Sequence, residues 1–308
     1  MLQQSENKVK IEGILSEIDI STRTYTNKKT GAQTDCISGV IKVHVEQVVN
    51  GKETVLEIPV HLFANKITAK GALNPAYSSI EKIMNEYVSI AASNIESADR
   101  IRITNGQIQM NEYYNQNGQL VSFPRISATF VNKIPATEMQ YEATFSTTFV
   151  IGAMSYETDA DGVEIPNRFK VRGIIPQYGG NVDVVDFFAV TPNTIDGVNS
   201  MWAQGDTVSA MGKLNFTSTT EERIVEVAFG DPKVEKRTIS VSEFIITGGT
   251  PPKEGDFAID NNEIQEALTA RQARLANLKA SAENKTSTTA GKAPAKAANR
   301  FSAADLGF

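Results

Sequence analysis

From Val9 to Thr247 apolar and polar residues alternate with a period of two, the pattern of strands with one face buried. Val9–Ile20 reads as a strand, followed by a polar loop over Thr24–Thr34. Ile37–Val49 and Thr54–Ala64 follow as a hairpin turning at Asn50-Gly51, a pair suited to the left-handed backbone of a tight turn. Pro75–Tyr87 changes to helical spacing, with Asn74 as N-cap and Pro75 in the first turn. Arg100–Tyr114 and Leu120–Ile134 form a second hairpin around Asn117-Gly118.

The same order then recurs: a strand over Phe149–Tyr156, a polar loop over Glu157–Pro166, and strands over Arg168–Pro176 and Asn181–Val190 either side of Gly179-Gly180. A short helix over Ile195–Ala203 precedes strands over Asp206–Thr217 and Lys236–Thr247. Four short matches fall in the same sequence order. IEGILSE (Ile11–Glu17) aligns with VIGAMSY (Val150–Tyr156), pairing Gly13 with Gly152 and Ser16 with Ser155. HLFA (His61–Ala64) aligns with DFFA (Asp186–Ala189), GQIQ (Gly106–Gln109) with GKLN (Gly212–Asn215), and RISATF (Arg125–Phe130) with RTISVSEF (Arg237–Phe244). We read a duplicated module. Three strands, a helix and two strands is the order of the OB-fold, a small Greek-key barrel. A β-sandwich, or another antiparallel barrel with an added helix, fits the same alternation. The expected architecture is mainly β: two tandem OB-fold-like antiparallel barrels (1–140 and 141–250), a helical segment (251–284), and a disordered linker with a terminal peptide (285–308).

The helical segment follows Pro251-Pro252. Asp260–Asn284 is rich in helix formers, and Ile264, Leu268, Leu275 and Leu278 share one face that Arg271 interrupts. It either packs on the second barrel or serves self-association. Lys285–Asn299 has no large apolar residue and is expected to be disordered. Arg300–Phe308 (RFSAADLGF) restores large apolar side chains, with Phe301, Asp305, Leu306 and Phe308 as candidate partner-docking residues. The alternative is a tip that folds back on a barrel.

Composition narrows the classes. No stretch approaches the ~20 apolar residues of a membrane-spanning helix. Met1–Lys10 is polar and lacks the apolar core of an export signal, so a cytoplasmic protein is expected. The single cysteine, Cys36, excludes an internal disulfide and a cysteine-based zinc site. The only histidines, His44 and His61, have no partner pattern for a metal or a catalytic triad. Asp159-Ala160-Asp161-Gly162 lacks the distal acid of a calcium loop and reads as a turn. No enzyme, metal or cofactor is expected. Net charge is −6, with the excess acid concentrated in residues 141–250. A basic nucleic-acid footprint is therefore absent from the chain as a whole.

Strand parity nevertheless defines one candidate binding face. Ile41, Val43 and Val45 point inward, leaving Lys42 and His44 outward; Leu56, Ile58, Val60 and Leu62 point inward, leaving His61 and Phe63 outward. Ile126, Ala128 and Phe130 are expected inside, with Phe123 and Arg125 outside. Arg23, Tyr25, Lys28 and Lys29 join from the first loop, and Arg102 from the fourth strand. Rings that stack on bases beside cations that follow phosphates are what single-stranded nucleic acid requires. In the second module Lys170, Arg172, Tyr178 and Phe188 are the corresponding candidates, although Asp186 aligns with His61. Trp202 is expected in the core.

With OB-like order, a low-complexity linker and a tip ending in Phe308, the chain resembles the single-stranded DNA-binding proteins of bacteria and phages. That resemblance implies a barrel that coats single-stranded DNA during replication or recombination, and a tip that recruits a partner in those processes. The tip departs from the family pattern: Asp305 is its only acid, and Gly307 stands where proline is common. AADLGF (Ala303–Phe308) is also similar to sliding-clamp-binding peptides without their leading glutamine, so a clamp is one candidate partner. The competing reading is a protein-binding adaptor or virion component that uses the barrels as structure alone.

Overall fold

Alternating side chains produce strands wherever one face can be buried, and the computed structural model shows how these strands close. It describes residues 2–26, 33–49, 51–115, 117–225 and 233–290, apart from the side chains of Tyr25, 219–225, 233–239 and 284–290. The first barrel comprises β1 (Asn7–Thr26), β2 (Gln33–Val49), β3 (Lys52–Asn65), α1 (Pro75–Glu86), β4 (Arg100–Tyr114) and β5 (Leu120–Ala128), with a short β6 (Asn132–Ile134) on β4. Its strands run in the order β1-β2-β3-β5-β4 and close by β4 pairing back on β1; β3 and β5 are parallel. The second comprises β7 (Glu142–Thr158), β8 (Glu164–Pro176), β9 (Val182–Ala189), α2 (Pro192–Met201), β10 (Thr207–Val225) and β11 (Lys233–Gly249). Its order, β7-β8-β9-β11-β10 closing on β7, is the same, and β9 and β11 are again parallel. Two OB barrels stand in tandem, followed by α3 (Asn261–Ala290).

The first helix starts where expected, whereas α2 starts at Pro192, before the expected Ile195. Asn74 Oδ1 accepts from Ala76 N at 3.1 Å and Pro75 opens α1, which buries Tyr77, Ile80 and Ile83. Thr191 and Thr194 cap α2 reciprocally, burying Ile195 and Val198. In the first core Val9, Ile11, Leu15, Ile41, Val43 and Val60 are fully buried. The second core is aromatic. Phe145, Phe149, Phe187 and Phe244 pack with neighbouring ring centroids 4.7–5.8 Å apart. Trp202 lies edge-on to Phe149 and donates its indole N–H to Thr250 O at 2.8 Å, which confirms it as core.

The barrels are joined by a direct strand pairing. Asn7–Glu12 of β1 runs antiparallel to Glu142–Thr147 of β7, with Val9 opposite Phe145. The registers make these two residues equivalents: Gly106 pairs with Val9 in the first barrel, and Gly212 pairs with Phe145 in the second. The junction is therefore a pseudo-twofold axis through Val9 and Phe145. Glycine is required at Gly212, where a Cβ would lie 1.9 Å from Ile245 O.

Registers also correct the sequence alignment. Gly106 and Gly212 correspond as read, but the other three matches are displaced. The bulge at Ser16, between Leu15 and Glu17, is matched by a bulge at Gly152, between Ile151 and Ala153. Ile126 and Phe244 face the equivalent residues Val60 and Phe187, so His61 corresponds to Phe188 rather than Asp186. Short peptide identities cannot register a bulge or a shortened hairpin.

Three further expectations change. The polar loops are strand at both of their ends: Tyr25 pairs with Thr34, and Thr158 with Glu164. Threonine-rich ribbons accept β-structure without a core because β-branched side chains suit a pleated surface. Phe130, expected inside, is 52% exposed because β5 ends at Ala128. The third change is at α3, which continues through Lys285 to Ala290, into the expected linker, since extending an established helix is easy. Residues 291–308 lie outside the described residues, and with them Phe301, Asp305, Leu306 and Phe308.

Phe187 holds the second core together, so Phe187→Ala is expected to cost about 3–5 kcal/mol of unfolding free energy. Denaturant unfolding followed by near-UV circular dichroism measures it.

Candidate nucleic-acid interface

Outward side chains of β2, β3, β4 and β5 line an open groove of about 750 Å³ on the first barrel. His61 and Phe63 rise from β3, Gln107 and Gln109 from β4, and Arg125 from β5; Phe130 completes one end. Phe63 is 58% exposed, so two large rings flank the groove in water. Arg125 Nη2 reaches only Gln109 Oε1, at 3.4 Å, and its buried Nε has no partner. No described carboxylate pairs with this guanidinium. Burial, and secondarily the charge of Arg125, hold the His61 pKa below its ordinary value. His61 is thus a neutral ring at physiological pH, able to stack or exchange a hydrogen bond.

The same parity carries Phe123 and Tyr113 outward on the β4–β5 hairpin, where the rings meet edge to face at 6.5 Å. Of the predicted first-barrel set, His61, Phe63 and Arg125 share the groove, and Phe123 extends its face. Lys42 does not join them. It binds Glu17 at 2.5 Å and faces Phe216, Ser218, Ser240 and Ser242 of the other barrel's β10–β11 ribbon. His44 is held by Glu57 at 2.9 Å and Glu46 at 3.3 Å. Arg102 is bound to Glu12 at 2.6 Å. That bond holds the Glu12 carboxyl below the usual carboxylate range against the upward push of burial, assisted by the Gln140 N–H. Arg23 is exposed on β1; the Tyr25 side chain, Lys28 and Lys29 lie outside the described residues.

In the second barrel the equivalent surface is closed by its own charges. Glu243 stands where Arg125 stands in the first barrel, and Arg168 where Ser38 stands. Arg168 lies 4.9 Å over the Phe188 ring and binds Glu157 at 2.5 Å and Glu243 at 2.6 Å. Arg172 is engaged by Asp186 at 2.9 Å, and Lys170 is half-buried beside Phe188. Tyr178, in the β8–β9 turn, is 84% exposed.

Phe130 is the groove residue that parity missed. A signal was present: continuing the inward set through Ile126, Ala128 and Phe130 would bury Asn132 and expose Val131. The structure does the reverse, with Val131 3% exposed. That phase reversal marks the end of the strand.

Among the described residues, no cluster of histidine, cysteine or acid could hold a metal ion, and no helix is long and apolar enough to cross a membrane.

Two closed five-stranded barrels, each with a helix between its third and fourth strands, define a tandem OB-fold protein. Residues 5–281 match the family described as YorF, and the chain belongs to the YorF family. No curated protein matches the sequence. Solved structures similar to it include the wild-type single-stranded DNA binding protein from Thermus aquaticus, 8% identical over 82% of this chain and 96% of that one, with a TM-score of 0.45. A deletion mutant of that protein is 10% identical over 82% and 97%, with a TM-score of 0.43. A replication protein A heterotrimer bound to single-stranded DNA is 9% identical over 78% and 49%, with a TM-score of 0.21.

The His61 environment is measurable. In an NMR pH titration its ring should titrate below the free-histidine value of about 6.5. Arg125→Gln should raise that pKa part of the way, since burial remains. A midpoint above 6.5 in the wild-type chain would contradict the assignment.

Proposed function

We propose that the first barrel binds single-stranded nucleic acid along the groove of Phe63, Phe130, His61 and Arg125, and that the protein coats single-stranded DNA during replication or recombination. One observation carries the reading: two exposed phenylalanines and an arginine without a carboxylate partner among the described residues converge on the open face of an OB barrel, while the duplicate face is closed by ion pairs. Stacking needs flat apolar rings presented to water, since every base has a π-face, and an unpaired guanidinium supplies the complementary charge for phosphate. The surface across β2 and β3 of an OB barrel is where extended ligands lie. Binding with little sequence preference follows, because rings and phosphates are read without base-edge contacts.

Phe63→Ala and Phe130→Ala should each weaken binding to an oligo-dT strand by about 1–3 kcal/mol. Both should leave the melting temperature nearly unchanged, because neither ring is in the core. Arg125→Ala should weaken binding and lower its salt sensitivity by roughly one phosphate contact. Fluorescence anisotropy at several salt concentrations measures both effects. Full-strength binding by all three variants would remove the groove from consideration, and absence of binding by the wild-type chain would favour the adaptor reading.

The docking role belongs to the tip, where Phe301, Leu306 and Phe308 return to the sequence beside Asp305. A tethered apolar peptide gains effective concentration near whatever the barrels hold, and burying each large side chain supplies about 1.5–3 kcal/mol before ordering costs. A replication or recombination protein, with the sliding clamp as one candidate, is the partner class. Deleting residues 301–308 should leave strand binding intact and abolish capture of that partner in pull-downs. Equal capture with and without the tip would refute docking.

A further inference from the structure

The pseudo-twofold axis relates side chains as well as strands. Gln47 Nε2, at the end of the β2–β3 hairpin, donates to Leu214 O in β10 of the other barrel at 2.9 Å. Gln177 Nε2, at the end of the β8–β9 hairpin, donates to Ile108 O in β4 at 3.2 Å. Gln47 and Gln177 are equivalent by strand register, as are Leu214 and Ile108, which pair with Phe244 and Ile126 respectively. Each barrel therefore lays its second hairpin beside the fourth strand of the other.

On the second barrel this contact covers one end of the equivalent groove. Val48, Val49 and Gly51 share a cavity with Val190, Lys213 and Thr247, the equivalents of Phe63, Gln107 and Thr129. Lys213 Nζ donates to Val48 O at 2.8 Å, closing that edge. On the first barrel the reciprocal hairpin is shorter. Gln177 N already bonds Asn181 O at 2.8 Å, leaving only Tyr178-Gly179-Gly180 as the turn. Tyr178 follows Gln177, whose amide is bonded to Ile108 O, so its turn lies against β4, one residue along from Gln107 of the groove lining.

We propose that Tyr178, carried by the second barrel, completes the first barrel's binding groove by closing its ring over a base of the bound strand; this rests on the function proposed above. The turn is suited to that role. Asn181 Nδ2 holds Tyr178 O at 3.2 Å, and left-handed φ of 77° at both glycines gives a tight turn. The backbone is thus fixed while the ring, 84% exposed, has little protein contact to lose. An aromatic ring on a pre-set backbone orders at low entropic cost. The site is then composite, and the β1–β7 junction holds its two parts in place.

The test uses the full chain and a labelled oligo-dT strand, followed by fluorescence anisotropy. Tyr178→Ala should weaken binding on the order of tenfold, with unchanged salt dependence because no charge is removed. Tyr178→Phe should bind within about twofold of wild type, since stacking needs the ring and not the hydroxyl. Phe257→Ala, at a ring 80% exposed and away from the groove, should have no effect. Melting temperatures should not move. In a separate chain, Tyr178→Trp should show emission quenched by the strand, whereas Trp202 is buried. If Phe63→Ala weakens binding while Tyr178→Ala binds as wild type, the composite site is overturned and the first-barrel groove stands. If the wild-type chain binds no strand, the underlying reading falls with it.

Discussion

The antiparallel pairing of Asn7–Glu12 with Glu142–Thr147 governs the rest of the architecture. β1 must pair with β7 first and then with β2 along the same edge, while its opposite edge pairs with β4. β7 solves the same problem with β1, β8 and β10. Each strand changes partner at Gly13 and at Thr148–Phe149, and a bulge a few residues beyond, at Ser16 and at Gly152, adds local twist as the strand enters its new pairing. Asn7 seals the crossing: its amide both donates to Ile108 O, at 2.8 Å, and accepts from Ile108 N, at 3.0 Å. A buried strand edge there would otherwise leave backbone groups unpaired. With the crossing fixed, each second hairpin must overlap the other barrel's fourth strand.

A symmetric frame carries unlike chemistry. Both barrels offer the same outward positions, but acids in the second engage both arginines near its face. Arg168 is taken by Glu157 and Glu243, and Arg172 by Asp186. For a phosphate to use either guanidinium, a formed ion pair must be broken, and the released carboxylate would then repel the ligand. In the first barrel Arg125 faces glutamines and serine, so nothing has to be displaced. Three acids of residues 141–250, Glu157, Asp186 and Glu243, make this local closure, and the rest contribute a general negative field. Its reach across solvent is limited by screening, about 8 Å at physiological ionic strength.

Strand order, both helices and the inward residues of β2 and β3 were legible because each depends on local alternation that the structure retains. The site was legible only in part, because parity reports inside against outside and not which neighbour lies outside. Lys42 and His61 are both outward on paired strands, yet Lys42 meets Glu17 and the second barrel's ribbon while His61 lines the open groove. His44 was lost to Glu57 directly across the β2–β3 pair. Those partners come from strand registers that no single-strand pattern contains. Phe130 was lost for a different reason: the end of β5 reverses the phase of burial within two residues.

The C-terminal helix reaches the groove from behind. Ile264 and Ala267 of α3 bury against Val150, Ile174 and Val182 of the second barrel, and one turn on, Arg271 replaces the apolar stripe. Arg271 and Arg274 both bind Glu112, whose side chain is 3% exposed, on the back of the β4–β5 hairpin. A carboxylate so buried is strongly unfavourable alone, and two guanidiniums offset its desolvation. Burial likewise raises the pKa of the neighbouring Asp183, while Gln177 caps its carboxyl at 3.0 Å. Gln177 also bonds the hairpin strand at Ile108 O, so one side chain ties β4, Asp183 and the Tyr178 turn together. The hairpin that presents Arg125 and Phe123 is thus held by the helix on one face and left open on the other. A binding face needs this arrangement, because rigidity behind the rings lowers the ordering cost of stacking in front of them.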